Sequence, residues 1–183
     1  ENEMDTDIEL AKAFPYSEMA KLGWVTTTRS AVEKVKNLRD YFQVAKLGAL
    51  NNLMTPGISY RRVGSNVQAD YALAVWAQQA RLCARELEVL SINIAKLQQC
   101  VPEIRKMTLE TPDVFCAKLV ETMSECGIAL VFLPHMKGSF LHGATFFDGK
   151  KIVMGLTVRG RDADRFWFSL FHEIGHIVKG HLG

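Results

Sequence analysis

The sequence has no apolar run long enough to cross a bilayer, and its opening residues, Glu1-Asn2-Glu3-Met4-Asp5, are acidic and polar where a secretory signal is basic and then apolar. Both absences argue against a membrane-spanning helix and favour a cytoplasmic chain. Neither sign of charge is in excess. The 22 Lys and Arg stand against 20 Asp and Glu, a formal net charge of +2, so composition gives no case for a strongly basic nucleic-acid surface. There is no C-x-x-C pair. Cys83, Cys100, Cys116 and Cys126 are far apart, and Cys83 and Cys116 fall in apolar helical patterns. Buried free thiols in a reducing compartment are expected rather than a disulfide framework. Internal repeats and low-complexity stretches are absent, and so is an initiator methionine, which leads us to expect an excised or processed piece of a longer protein.

What is present suits a globular fold. With 183 residues, 48% hydrophobic and 23% charged, the chain can build one well-packed domain, or a domain with a helical extension. The first half reads as helical. Asp5 to Phe14 is a short candidate stopped by Pro15. Ser30 to Leu47 is amphipathic, with Ser30 as cap and Gly48 as stop. Thr55-Pro56-Gly57 reads as a turn. A long pattern from Gln68 to Gln98 follows, with a break near Ser91-Ile92-Asn93, and Pro102 opens another helical turn.

The second half changes character, and the shift near 105–112 marks the expected boundary. Thr111 caps a helix that Pro112 opens and Gly127 closes. Ile128 to Leu133 is a buried strand ended by Pro134. Ala144–Phe147 and Lys151–Leu156 flank Asp148-Gly149 as a hairpin. The expected fold is therefore α+β: a helical region over 1–107, then a small, mainly three-stranded sheet packed on a final helix over 108–183.

That final helix carries the chemistry. His172, Glu173, Ile174, Gly175 and His176 spell H-E-x-x-H, a pattern that this composition produces by chance about 0.01 times. On a helix, positions i and i+4 share a face one turn apart, so His172 and His176 can offer two ring nitrogens to one zinc ion. Glu173 then stands beside them as general base toward a zinc-activated water. Trp167, Leu170, Phe171, Ile174, Ile177 and Val178 supply the apolar stripe, Asp162 or Asp164 the cap, and Gly180 the end. The bland alternative is a helix with two surface histidines and an ordinary glutamate.

The stretch Asp164 to His176 resembles the active-site helix of the ImmA/IrrE metallopeptidases. Thr111–Phe115, Gly127–Pro134, Gly143–Thr145 and Leu156–Arg159 resemble that family's entry helix and three strands, so the likeness covers about residues 108–183. Residues 65–100 are loosely similar to linker helices of longer members, which carry an N-terminal helix-turn-helix domain and are often HigA-like or antitoxin-like. The resemblance implies a cytoplasmic, zincin-like zinc endopeptidase acting on a helix-turn-helix repressor. His172 and His176 take the place of metal ligands, and Glu173 that of the catalytic residue.

The family's third ligand, a glutamate on a later helix, has no counterpart, because the seven residues after His176 include no acid. We therefore expect a domain truncated at its C-terminus, with weak zinc binding and little activity in the isolated chain. His181, five residues past His176, lies off the metal face of an unbroken helix and is expected to face solvent or to stand behind the ligands. His142 is a loop residue that can line the cleft, His135 has less claim, Asp164 serves as a cap, and Arg159 as an ion-pair partner. The aromatic residues at 166–171 are expected in the core.

The competing reading is a non-catalytic sensor or interaction module of an antitoxin or repressor. Expected partners are a protein substrate and a second copy through the N-terminal helices, with DNA contacted only through a domain outside this chain. Direct DNA contact by Arg29, Lys34, Lys36 and Arg39, or by Arg61 and Arg62, is the weakest reading, since such clusters usually form solvated helix faces.

Overall fold

The computed structural model describes residues 2–52, 67–139, 141–158 and 162–182. They form a mixed α+β structure with seven α-helices and one three-stranded mixed sheet among the described residues. They also divide into two compact units. One takes in residues 2–52, 67–79 and 136–139, the other 80–135, 141–158 and 162–182. The unit that holds the H-E-x-x-H helix thus includes residues 80–107 as well as most of the expected 108–183 domain.

The first unit is helical. Helix α1 (Glu3–Ala11) starts at Asn2, whose side chain accepts from Met4 N, and stops three residues before the expected Phe14. The short α2 (Tyr16–Lys21) follows Pro15 and was not foreseen. Ser30 caps α3 (Ala31–Phe42) as expected, its hydroxyl accepting from Glu33 N. This helix ends at Phe42 rather than Leu47, with Gln43 left-handed at φ +57°. The reason lies in Asp7. Its buried carboxylate accepts from Arg39 Nε at 2.8 Å and from the Leu47 N–H at 2.9 Å, drawing the chain after α3 into a 3-10 turn, Leu47–Asn52, instead of another helical turn. The expected turn at 55–57 lies outside the described residues.

The long helical pattern over 68–98 resolves into α4 (Val67–Arg85) and α5 (Ile94–Lys106). The break is wider than expected, because residues 86–93 leave the helix to pair with residues 124–126. Leu90 N donates to Ser124 O and Asn93 N to Cys126 O, both at 3.0 Å. Asn93 then caps α5, accepting from Lys96 N. Pro102 sits inside α5 on its exposed side rather than opening a turn, and it costs that helix one backbone hydrogen bond.

Helix α6 (Pro112–Glu125) begins after Thr111 and leads through Gly127, left-handed at φ +83°, into β1 (Ile128–Pro134). Strands β2 (Gly143–Asp148) and β3 (Lys151–Val158) form the hairpin. Asp148 pairs with Lys151, which moves the two-residue turn to Gly149-Lys150, one position later than expected. The sheet order is β1-β3-β2, with β1 parallel and β2 antiparallel to the central β3.

Alternation along the strands decides what faces the last helix, α7 (Ala163–Val178). Through the register, Ile128, Leu130 and Phe132 of β1, Ile152, Met154 and Leu156 of β3, and Gly143 and Thr145 of β2 share one face. The apolar members of that face form a core with Trp167, Leu170, Ile174 and Ile177 of α7 and with Leu97 and Ile104 of α5. Strand β1 reads as continuously apolar because both its faces are covered. All four cysteines are free thiols. Among the described residues no helix is long and apolar enough to cross a membrane.

Candidate metal centre

The site is built from α7 and the two strands under it. Asp162 caps the helix, its carboxylate accepting from Arg165 N at 3.2 Å and pairing with Arg165 Nε at 2.8 Å. Asp164, the other expected cap, instead lies on the wall of a cleft. Trp167, Leu170, Ile174 and Ile177 are buried, which fixes the rotation of α7 about its axis. That rotation carries Glu173 into the buried stripe, 3% exposed, and leaves His172 and His176 half-buried beside it. The bland reading of two surface histidines and an ordinary glutamate therefore does not describe this helix.

The two histidine rings converge. Their Nε2 atoms are 3.0 Å apart, with ring centroids at 4.6 Å and planes at 84°. Burial, followed by the neighbouring His172, His181 and Lys179, lowers the pKa of His176 and favours the neutral ring that a metal requires. Glu173 is held from the opposite side, where the Thr145 hydroxyl donates to its Oε2 at 2.5 Å. Burial raises the pKa of this carboxyl, and the hydrogen bond from Thr145 offsets that in part.

Thr145 is the residue that motif reading missed. The available signal was a hydroxyl at a core-facing position of a strand whose register partner on that face is Met154. Gly143, two residues earlier on the same face, explains the close approach of helix and strand. A Cβ there would stand 3.4 Å from Glu173 Cγ and 3.0 Å from Leu156 Cδ2.

A cleft of about 420 Å³ opens along the N-terminal half of α7, with His172, Glu173 and Gly143 at one end and Asp164, Arg165 and Phe168 along its wall. His142, a loop histidine that the sequence allowed to line the cleft, does border it, whereas His135 does not. Trp167 and Leu170 are in the core as expected, but Phe168 is not. It is 63% exposed and stacks on the His172 ring at 6.2 Å. His181 follows Gly180, left-handed at φ +68°; its side chain is exposed, with its ring 5.9 Å from that of His176. Arg159 lies outside the described residues.

Zinc–nitrogen bonds of about 2.0–2.1 Å in a tetrahedral site set ligand nitrogens roughly 3.3 Å apart. The 3.0 Å spacing of the two Nε2 atoms fits two such positions with a small adjustment of the rings. A third donor is not part of this arrangement: among the described residues no group of three or more His, Cys, Asp or Glu side chains is placed to hold a metal ion. Comparison of the chain with family models, with curated proteins and with solved structures returns no match.

Proposed function

We propose that this chain carries the zinc-binding and catalytic helix of an endopeptidase of the ImmA/IrrE type, acting in the bacterial cytoplasm within a transcriptional regulator on a helix-turn-helix repressor protein. The observation that carries the reading is Glu173, a buried carboxylate one residue past the first of two converging imidazoles and, among the described residues, bonded to nothing stronger than the hydroxyl of Thr145. A purely structural helix has no use for that arrangement, because an apolar residue at 173 would be more stable in the same stripe. The packing of α7 on β2 and β3 is in this reading a zincin-like one.

His172 and His176 would hold the zinc through their Nε2 atoms, and zinc bound there supplies Lewis acidity to a peptide carbonyl. The chain's own groups do the rest. Glu173, its proton affinity raised by burial, takes the proton of the attacking water, and Thr145 keeps the carboxylate aimed from the sheet side. The neutral His176 ring leaves its lone pair available.

The second reading, a non-catalytic sensor or interaction module of a DNA-binding regulator, draws on the lack of a third metal donor among the described residues. The experiment that separates the two compares wild type and Glu173→Gln, each supplied with zinc and incubated with a helix-turn-helix repressor, with cleavage read by mass spectrometry. We expect Glu173→Gln to lose at least about 100-fold in rate, the usual scale for a general base, with the fold intact. Cleavage that survives this substitution, or none by wild type in the full-length protein, rules the catalytic reading out.

A further inference from the structure

We infer that the cleft beside Glu173 is a subsite for one bulky apolar side chain of a peptide, with Phe168 as the wall that sets the preference. This inference rests on the endopeptidase reading and extends it to the chemistry of the substrate.

The argument begins with Phe168. A single exposed aromatic residue is ordinary on a protein surface. Here, however, Trp167 and Leu170 form the core side of the helix at 8% and 0% exposed, while Phe168 at 63% turns away from the core. It turns onto the His172 ring and into a cavity that Glu173 also lines, so its apolar face adjoins the two residues that would act on a peptide bond. The cavity, about 420 Å³, falls within the roughly 300–1,000 Å³ of ligand-binding clefts, and most of its surface is carbon.

Gly143 lines the same cleft. A Cβ at that point would press on Leu156 Cδ2 at 3.0 Å and the Gly155 carbonyl oxygen at 3.3 Å, and would just reach Glu173 Cγ at 3.4 Å. The charges on the wall outside the motif, Asp164 and Arg165, are of opposite sign, and the Arg165 guanidinium is paired with Asp162. Asp164 and Arg165 are both exposed, so solvent screens their charges and neither selects strongly for a charged side chain. An apolar side chain covers Phe168 without carrying a charge of its own into the cleft, so it is the occupant that these walls favour. A peptide whose scissile carbonyl lies at His172 and Glu173 can place the adjacent side chain here.

The test measures binding, so it does not depend on hydrolysis. Fluorescently labelled alanine-based hexapeptides carrying Phe, Leu, Ala, Asp or Lys at one central position are titrated against the chain without metal, and anisotropy is followed. The expected result is that the Phe and Leu peptides bind about 10-fold more tightly than the Ala, Asp and Lys peptides. Phe168→Ala, at an exposed position, should keep the thermal transition of wild type and reduce that ratio to about threefold or less, and Phe168→Leu should retain most of it. Equal binding of all five peptides, or a preference that survives Phe168→Ala, overturns the subsite. Repeating the series with zinc and the full-length protein separates the two ideas. Cleavage without preference removes the subsite and leaves the peptidase. Preference without cleavage removes the peptidase and leaves an apolar peptide-binding site.

Discussion

Two carboxylates are buried among the described residues, and they are treated differently. Asp7 faces Arg39, whose guanidinium nitrogen stands 2.7 Å away, and it also accepts the Leu47 N–H. Glu173 has one hydroxyl and, among the described residues, no cation. A carboxylate so placed costs stability, and the sign of its pKa shift says when. Because burial raises the Glu173 pKa above the ordinary 4.5, the folded state favours the protonated form. The stability tied to that proton is fully present below the unfolded value and is lost as pH rises through the folded one. Glu173→Gln keeps an oxygen for Thr145 and carries no charge. The metal-free variant should therefore be more stable than wild type at pH 7, on the order of 1 kcal/mol, with the gap closing below about pH 4. Urea denaturation across that range measures it, and an unchanged or lowered stability at pH 7 counts against the buried-charge account. Thr145→Val makes the complementary case. It removes the one donor and leaves Glu173 unanswered, and should cost about 1–3 kcal/mol at neutral pH, while Thr145→Ser should cost far less.

At the scale of elements, local rules located most of the framework and tertiary contacts moved its ends. The motif helix was legible because its apolar stripe and its histidine spacing share one 3.6-residue period, and the same stripe forced Glu173 inward. The hairpin was legible from Asp148-Gly149, yet its turn shifted by one residue because Asp148 joins the ladder opposite Lys151. No local pattern shows that α3 stops at Phe42, since the cause is Asp7, 40 residues before Leu47. Nor does one show that residues 86–93 leave the helix to meet residues 124–126.

The joint between α6 and β1 depends on that meeting. Gly127 is left-handed, and a Cβ on it would lie 2.4 Å from Ile92 Cα and 2.5 Å from Ile92 N, backbone atoms that cannot rotate away. Gly127→Ala should cost about 3 kcal/mol or more, combining left-handed strain with a forced backbone shift. Gly180→Ala is the control. It is also left-handed, at φ +68°, but meets nothing within 4 Å, and should cost only about 1 kcal/mol. Equal losses in thermal denaturation of the two variants would show that strain alone, and not the contact with Ile92, makes Gly127 necessary.

At the scale of the whole molecule, alkaline pH and charge distribution each give a test. Burial, together with the neighbouring Cys100, pushes the Cys126 thiol from 9.0 up to about 11. The unfolded chain therefore releases this proton first, and the stability tied to it is present below pH 9 and lost as pH rises toward 11. Wild type should lose up to about 2.7 kcal/mol more than Cys126→Ala over that interval in urea denaturation, and parallel losses would contradict the assignment. Charge distribution bears on DNA. The cluster at 29–39 looks basic in one dimension, but Arg39 is committed to Asp7 and lies 3.7 Å from Glu3, and Lys34 stands over the Tyr16 ring at 5.6 Å. Arg61 and Arg62 lie outside the described residues. With 22 basic side chains against 20 acidic ones, little field remains to gather a polyanion. Anisotropy titrations of a labelled duplex from 50 to 200 mM salt should show no binding that depends on salt. A log–log slope near −2.7 or steeper, the release expected for three neutralised phosphates, would return direct DNA contact to this chain.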